Sequence, residues 1–341
     1  MKLLIAGSGE VWSLEKHYLK YLKEAGVEVQ LLPVQSIFYK YYNHSIVNKI
    51  LYKLGLSRID RVIANQLQQV VSNWKPDVMW VFKGMELSPD TLKQVKAQGI
   101  KLVNYNPDNP FIFSGRGSGN KNITNSIALY DLHFSYDTGT AEKIQQDYNI
   151  PCKILPFGFE LSEELYTACT QQEEIKKVCF VGNPDSQRGQ FLNQLSEAIP
   201  VEVYGEGWSE FVDSSKITVH AAVYGDEFWK TLYRYRVQLN LMRVHNPTSH
   251  NMRSFEVPGV GGIGLFPHTP DHATYFEEGK EIFLYRNINE CIQCCKALLG
   301  MTAEEESNIR RAARLKSIQA GYSYRDRTLQ ALREIKGLLN G

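Results

Sequence analysis

Short apolar runs alternate with stretches of helical spacing along most of this chain, and this alternation limits the folds open to it. The run KLLIAG is followed by Leu14, Tyr18 and Leu22 at helical spacing, and then by the run VEVQLLPV. The pattern continues to about residue 157 and begins again at KVCFVGN. Strands that alternate with helices form parallel sheets. The sequence therefore predicts an α/β protein with two doubly wound, Rossmann-like sheets.

The length of the chain also indicates two domains. At 341 residues it exceeds the usual size of one hydrophobic core. A polar, glycine-poor segment follows CKILPFGFE and marks a boundary, which predicts an N-terminal domain over 1–157 and a C-terminal domain over 158–322. An interdomain cleft is then the expected place for a ligand. Residues 36–75 are predicted to be a tyrosine-rich, mostly helical insertion in the first domain.

The composition argues against several classes of partner. A net charge of +1 and 43% hydrophobic residues are typical of a globular protein with neither nucleic acid nor a membrane surface as its main partner, although a local basic patch is compatible with them. The opening MKLLIAGSGE is too short for a signal peptide, and no run approaches the ~18 apolar residues of a transmembrane segment. A cytoplasmic protein is therefore expected.

The six cysteines do not form the pattern of a disulfide-rich or zinc-binding chain. Three of them cluster in CIQCC, but no second pair elsewhere completes a metal site. Helical spacing places Cys291 and Cys295 on one face of a helix, where buried, reduced thiols are the simplest interpretation. The sequence therefore predicts no metal site.

The stretch NMRSFEVPGVGGIGLF, residues 251–266, is the first candidate for a binding site. It follows the predicted strand VQLNLM, and it places Arg253 and Glu256 on one face of a short helix. His250 and Asn251 lie where the backbone N–H groups of a helix start are unpaired and attract anions. A carboxylate here can accept hydrogen bonds from ribose hydroxyls while the guanidinium meets phosphate. The alternative is a simple ion pair between Arg253 and Glu256.

Two further glycine-containing turns follow predicted strands. In FVGNPDSQRGQF, a phosphate could rest against the loop at Gly182, with Arg188 as a donor, although an ordinary turn between strand and helix has the same pattern. The N-terminal AGSGEVWS lacks the third glycine of a dinucleotide-binding loop, because Trp12 occupies that place. Gly7 and Gly9 are instead predicted to close over a substrate.

Asp108 is the candidate for proton transfer. In NYNPDNPF it follows an apolar strand and lies between two prolines, which should hold it at the carboxyl edge of the first sheet. A carboxylate there could take a proton from a hydroxyl group. The alternative is an Asx turn formed with Asn106 and Asn109.

The order of the segments from VCFVGN through VEVYGEGW and NMRSFEVPGVGGIGLF to AGYSYRDRTLQALREI resembles the C-terminal half of CgeB-like (spore maturation protein type) glycosyltransferases of the GT-B class. The resemblance covers most of 175–335. It implies that Glu256 binds the ribose of a nucleotide-sugar donor and that Arg188 and the backbone of Gly182 and Asn183 meet the diphosphate. It further implies that Val223 and Tyr224 lie beside the base and that a last helix, 323–339, packs back on the N-terminal domain.

The expected function is that of a glycosyltransferase of the hexosyltransferase type (EC 2.4), with a nucleotide-diphosphate sugar as donor, an unidentified acceptor and no metal or other cofactor. Related retaining enzymes carry a second glutamate eight positions before the first, where this chain has Thr248, so both stereochemical outcomes stay open. The alternatives are a sugar-nucleotide epimerase of similar fold and a non-catalytic nucleotide-sugar-binding protein.

The 36–75 insertion would line an acceptor groove, add to a helix core or form a homodimer contact. His245 is a second, weaker candidate for contact with a sugar or phosphate.

Overall fold

The computed structural model describes residues 1–113, 118–243 and 249–340. The chain divides into two units, one formed by residues 1–156 together with 324–341 and the other by 157–323. His245 and Thr248 lie outside the described residues. No helix in the described part of the chain combines the length and the apolar character needed to cross a bilayer.

The first unit is built on six short strands. Their bounds are β1 Lys2–Ala6, β2 Glu28–Leu32, β3 Val78–Phe82, β4 Lys101–Asn106, β5 Leu132–Ser135 and β6 Cys152–Ile154. The helices of this unit are α1 Leu14–Glu24, α2 Val34–Asn43, α3 Ile46–Lys53, α4 Ile59–Trp74, α5 Pro89–Lys96, α6 Lys121–Ser126, α7 Thr138–Tyr148 and α15 Tyr324–Asn340, with a short 3-10 helix at Ile127–Leu129.

All pairings in the first sheet are parallel, in the order β2-β1-β3-β4-β5-β6. Strand β3, VMWVF, is buried at every position, as expected for a sheet that helices cover on both faces. Leu3 and Trp80 lie in the core on one face, together with Leu332 of α15, and Leu4 and Met79 lie in the core on the other. The predicted α/β sheet is therefore confirmed.

The 36–75 segment forms most of α2 and all of α3 and α4. Its rings pack against one another, because Phe38 stacks on Tyr42 with centroids 5.7 Å apart and contacts Tyr52 edge-on at 5.2 Å. On the other side of the segment, Ile63 and Leu67 of α4 are buried against the sheet. The insertion is thus helical, as predicted, and it is anchored by α4.

The second unit repeats the architecture. Its strands are β7 Ile175–Val181, β8 Val201–Tyr204, β9 Ile217–His220, β10 Tyr235–Leu239, β11 Gly264–Pro267 and β12 Phe283–Tyr285. Its helices are α8 Glu163–Thr170, α9 Ser186–Ser196, α10 Gly225–Arg234, α11 Arg253–Gly259, α12 Pro270–Tyr275, α13 Ile288–Leu299 and α14 Ala303–Gln319, with a 3-10 helix at Trp208–Glu210.

The second sheet is also parallel, in the order β12-β11-β10-β7-β8-β9. The chain runs outward from β7 through β8 to β9 and then returns to the other side of β7 as β10. The loops after β7 and β10 therefore lead in opposite directions, and open α/β sheets bind ligands at such a point, beside the carboxyl ends of the strands. The candidate residues of this unit lie around these two loops, except Tyr224, which lies between β9 and α10.

Candidate functional site

Arg188 connects the two loops at the carboxyl end of the second sheet. It lies in the first turn of α9, where the Asp185 carboxylate caps the helix by accepting the Arg188 backbone N–H. Its guanidinium donates to the carbonyl of Asn183 at 2.9 Å and to the carbonyl of Leu241 at 2.7 Å. The side chain is buried. Arg188 therefore fixes the loop after β7 to the loop after β10.

Arg253, the first residue of α11, ties that helix to the end of β7. Its Nε donates to the Val181 carbonyl at 3.1 Å, and its guanidinium carbon lies 4.4 Å from the centroid of the Phe228 ring. Its Nη1 forms an ion pair with Glu256, three residues further along the helix. A quarter of the Arg253 side chain stays exposed, so the guanidinium is accessible from solvent.

Glu256 is buried, with 6% of its surface exposed. Its carboxylate is held by Arg253 through Oε2. The structure thus contains the ion pair that was the alternative interpretation of this motif. A carboxylate fixed by a neighbouring guanidinium on one oxygen still has lone pairs on the other, so the pairing is compatible with a ligand hydroxyl as a further donor.

The loop that begins at Gly182 packs very closely against the end of β8. The Gly182 carbonyl accepts a hydrogen bond from Trp208 Nε1 at 2.8 Å, and a Cβ on Gly205 would lie 2.4 Å from the same oxygen. Only glycine at position 205 permits this approach. The following residue, Asn183, is exposed, and the turn therefore presents backbone groups at the start of α9.

The charges around these loops are mostly positive. Burial lowers the pKa of Arg188 to about 10, and the nearby Arg243 and Arg253 lower it further while Asp185 opposes them. A guanidinium with that pKa stays protonated at neutral pH. Three arginines close enough to influence one another make this edge of the sheet suited to an anion with several charges, such as a diphosphate.

His250 is wholly buried beneath the site. Its Nδ1 lies 2.7 Å from Asp271 Oδ2, and its Nε2 accepts the backbone N–H of Phe157 at 3.4 Å. Ser249 donates to the same Asp271 oxygen. Both ring nitrogens are thus engaged inside the protein, and His250 is placed to hold the loop before α11 rather than to reach a ligand.

Asn251 and Tyr224 have different surroundings. The side chains of Asn251 and Asn240 exchange two hydrogen bonds, of 2.8 and 3.1 Å, which join the loop to the end of β10. Tyr224 precedes α10 and is 71% exposed. Asn251 therefore positions α11, and Tyr224 presents an exposed aromatic side chain.

In the first unit, Gly7 and Gly9 form a turn over a buried carboxylate. Glu15 Oε1 accepts the Ser8 backbone N–H at 2.6 Å, and a Cβ on Gly7 would lie 2.3 Å from this oxygen. A Cβ on Gly9 would meet the Pro33 ring at 2.8 Å. Burial raises the pKa of Glu15. The two glycines thus permit the turn to lie against Glu15 and Pro33.

Asp108 is already engaged by a lysine. Lys83 Nζ lies 2.5 Å from Asp108 Oδ2, and Asn106 Oδ1 accepts the Asp108 backbone N–H at 3.0 Å. Asn109 Oδ1 in the same way accepts the N–H of Phe111 at 2.9 Å. The Asx turns that were the alternative to a catalytic role are therefore present, and they hold Asp108 beside Lys83.

Glu86 was not predicted from the sequence, and it lines a cavity of about 600 Å³ in the first unit. The cavity is lined mainly by Phe38, Tyr39, Tyr42, Tyr52, Glu86 and Asn120. Burial raises the pKa of Glu86 to about 6, against the opposing effect of Lys83. The feature of the sequence that could have indicated Glu86 is its position shortly after β3, at the same carboxyl edge of the sheet as Gly7 and Asp108.

The cysteine cluster belongs to the core of the second unit. Cys291 and Cys295 of α13 are wholly buried among aliphatic side chains, and the hydrogen bond with Cys295, together with burial, raises the pKa of the Cys291 thiol. Across residues 1–113, 118–243 and 249–340, no three His, Cys, Asp or Glu side chains are grouped as metal ligands. The predicted reduced thiols are thus part of the packing.

A family model described as glycosyl transferase-like matches residues 187–333. No curated protein matches the chain in sequence. Among solved structures, a glycosyltransferase from Rickettsia africae ESF-5 is 12% identical, with a TM-score of 0.67 and coverage of 99% of this chain and 98% of the other.

Two more solved structures are similar over nearly their whole length. Sucrose-phosphate synthase from Thermosynechococcus elongatus is 9% identical, with a TM-score of 0.68 and coverage of 100% and 99%. Anabaena HepE in complex with UDP-glucose is 12% identical, with a TM-score of 0.65 and coverage of 99% and 100%. This chain therefore has the GT-B fold of glycosyltransferases, and its residues 187–333 match the glycosyl transferase-like family.

Proposed function

We propose that this protein transfers a glycosyl group from a nucleoside-diphosphate sugar to an acceptor hydroxyl. The observation that carries the proposal is the group formed by Arg188, Arg253 and Glu256 at the point of the second sheet where the strand order reverses. Cations for a diphosphate and a carboxylate for a ribose lie there side by side. The family match over 187–333 and the UDP-glucose in HepE support this assignment.

Each donor group has a proposed contact. The free oxygen of Glu256 accepts hydrogen bonds from the ribose, Arg253 and Arg188 face the diphosphate, and the exposed ring of Tyr224 stacks on the base. The N–H groups at the start of α9, after Gly182 and Asn183, add further donors to the phosphates. His250 supports this arrangement from below through Asp271.

We propose that cationic side chains stabilise the leaving diphosphate without an obligatory metal ion. As the bond between the sugar and the diphosphate breaks, negative charge develops on the phosphate oxygens. Preorganised donors at the place where charge develops are an effective source of transition-state stabilisation. Arg188 and Arg253 are held in position before any ligand arrives, because each donates to a backbone carbonyl.

We propose Glu86, in place of Asp108, as the group that receives the acceptor proton. Asp108 Oδ2 is occupied by Lys83, whereas Glu86 has a pKa near 6, raised mainly by burial, which suits a base that works at neutral pH. The acceptor O–H bond breaks as its oxygen bonds to the sugar, the proton moves to Glu86, and the nucleoside diphosphate leaves. The tyrosines around the cavity offer rings on which an acceptor can stack.

Thermal unfolding with a panel of UDP, GDP, TDP, ADP and CMP tests the donor site. A ligand at 100 times its dissociation constant stabilises the folded state by about 2.7 kcal/mol. We expect one diphosphate to raise the melting temperature of the wild type and of Glu164→Ala, an exposed control in the same unit, but not of Glu256→Ala. If no nucleotide stabilises the wild type, the donor assignment is wrong.

The matching sugar nucleotide then distinguishes the activities. Release of the diphosphate that depends on an added acceptor, together with a glycosylated product by mass spectrometry, supports transfer. Conversion of the sugar nucleotide to its epimer without an acceptor would instead identify an epimerase. Binding with neither reaction would indicate a non-catalytic protein.

A further inference from the structure

Helix α3, Ile46–Lys53, buries none of its residues. Four aliphatic side chains on it and at its end are largely exposed: Ile46 at 76%, Val47 at 61%, Ile50 at 51% and Leu54 at 64%. At 3.6 residues per turn these four lie within an arc of roughly 100°. Leu56, just beyond the helix, adds another exposed aliphatic side chain. Contiguous apolar surface of this kind marks a contact with something outside the unit.

The opposite side of the helix is fixed to its own unit. Asn48 Nδ2 donates to the Tyr41 carbonyl at 2.7 Å, and the Tyr52 ring packs edge-on against Phe38 and Tyr42. The Ser45 hydroxyl caps the helix by accepting the Asn48 N–H. The aliphatic arc is therefore held pointing away from α2, and it cannot fold back without breaking these contacts.

The charges that border the arc are positive, while the carboxylates of Asp60 and Glu86 lie near Tyr52 on the opposite side of the helix. Residues 36–59 contain four basic residues, Lys40, Lys49, Lys53 and Arg58, and no Asp or Glu. Lys49 and Lys53 lie along one border of the aliphatic arc, by the same helical spacing. Within the described part of the chain, none of the four basic side chains has an ion-pair partner. An apolar stripe with a basic border is typical of a helix that lies in the plane of a membrane interface.

We propose that the arc of Ile46, Val47, Ile50 and Leu54, with its border of Lys49 and Lys53, is a peripheral membrane-binding surface for bilayers that contain anionic lipids. The aliphatic side chains enter the boundary between headgroups and acyl chains, while the lysine stems extend so that their ammonium groups meet lipid phosphates. This surface is separate from the donor site, although Lys53 also lines the proposed acceptor cavity. Vesicle binding is measured without donor or acceptor, so its failure would leave the proposed function unaffected.

A second copy of the chain is a poorer occupant for the same surface. In a twofold contact the same patch faces itself, which would bring Lys49 and Lys53 of the two copies together. No acidic residue lies on α3 to neutralise them, and Asp60 and Glu86 lie near Tyr52 on the other side of the helix. Desolvating unpaired cations in that way is unfavourable. An anionic lipid surface supplies the missing negative charge.

Co-sedimentation of the full chain with lipid vesicles tests the proposal. We expect the wild type to pellet with vesicles of phosphatidylcholine and phosphatidylglycerol and to stay in the supernatant with phosphatidylcholine alone. Ile50→Ser combined with Leu54→Ser should weaken the binding about tenfold or more, and each of Lys49→Gln and Lys53→Gln about fivefold. High salt should weaken it as well.

The matched control is Leu315→Ser with Ile318→Ser, two exposed aliphatic residues of α14 in the other unit, which should bind vesicles like the wild type. The substituted side chains are exposed except that of Lys49, which is half-buried, and thermal unfolding checks that each variant is folded. The proposal is overturned if the wild type ignores anionic vesicles, or if the control loses binding as much as the α3 variants. Loss of a dimer in Ile50→Ser by light scattering, without any vesicle binding by the wild type, would identify a self-association surface instead.

Discussion

Arg253 forms an ion pair with Glu256 across one turn of α11, and the carboxylate is almost completely buried while a quarter of the guanidinium side chain reaches solvent. The pair is therefore both a structural contact and a part of the proposed donor site. The two roles differ in what they predict for substitutions, because a structural partner can be replaced by another side chain whereas a ligand for ribose cannot.

Glu256→Gln should weaken the binding of the stabilising nucleoside diphosphate about tenfold or more, since charge-assisted hydrogen bonds to the ribose are lost. The free energy of unfolding should fall by about 2 kcal/mol, because Arg253 loses its partner. Arg253→Met together with Glu256→Gln should recover part of the stability but none of the affinity. Calorimetric titration and urea unfolding measure the two quantities, and full affinity in the double variant would exclude the ribose role.

Glu86 should make the reaction depend on pH. Its pKa is raised to about 6, mainly by burial, so the carboxylate is ionised above that value and protonated below it. We expect the transfer rate at low acceptor concentration to rise with pH to about 6 and then level off. Glu86→Gln should lower the rate about 100-fold or more and abolish this rise.

Asp108→Asn is the comparison for Glu86→Gln. It breaks the contact with Lys83 but leaves Glu86 in place, so the rise with pH should persist in this variant. Initial rates of transfer across a pH series measure the pH dependence of the Asp108→Asn and Glu86→Gln variants. A rise that disappears in Asp108→Asn and persists in Glu86→Gln would return the role of base to Asp108.

Glu202 should stabilise the second unit against acid. Burial disfavours its ionised form, but hydrogen bonds from Lys177, Tyr235 and His220 outweigh this effect and lower its pKa to about 2 from an ordinary value of 4.5. The folded pKa is below the unfolded one, so the stabilisation is complete above about pH 4.5 and is lost as the pH falls toward 2.

Urea unfolding at a series of pH values measures this contribution. Because solvent partly screens these interactions, we expect ionised Glu202 to contribute about 2 kcal/mol to the free energy of unfolding at neutral pH. The difference in stability between the wild type and Glu202→Gln should shrink as the pH is lowered from 4.5. Glu164→Gln, an exposed control, should show no such trend, and a constant difference for Glu202→Gln would contradict the prediction.

Gly205→Ala should damage the donor loop through its backbone. The added methyl group would lie 2.4 Å from the Gly182 carbonyl, so the loop after β7 must move, at a cost of about 2 kcal/mol or more. Nucleotide binding should weaken with it. Gly337→Ala is the matched control, since its Cβ meets nothing within 4 Å in helix α15, and it should stabilise the protein by about 0.5–1 kcal/mol. Thermal unfolding and titration with the diphosphate test both variants.

The sheets could be predicted from sequence because their information is local. A strand such as Val78–Phe82 is apolar throughout, and Ser88 before Pro89 caps α5 by accepting the Thr91 N–H. These signals lie within a few neighbouring residues. The predicted two-sheet α/β architecture follows from repeating them along the chain.

The site was less accessible to such reasoning because its contacts are remote in sequence. Arg188 donates to Leu241, which is 53 residues away, and His250 is hydrogen-bonded to Asp271, which is 21 residues away. Glu86 gains its raised pKa only because rings from other helices close over it. The spacing of a motif indicates which residues are candidates for a site. It does not show whether their side chains face a ligand or hold a loop in place.

Helix α15 completes the core of the unit that begins with β1. Tyr324 packs against Tyr18 of α1, and Leu332 joins Leu3 in the same core. During synthesis on the ribosome, residues 1–156 therefore emerge with part of their apolar surface uncovered, while 157–323 can fold as soon as they are free of the exit tunnel. The unit translated first can therefore complete its core only after α15 has been translated.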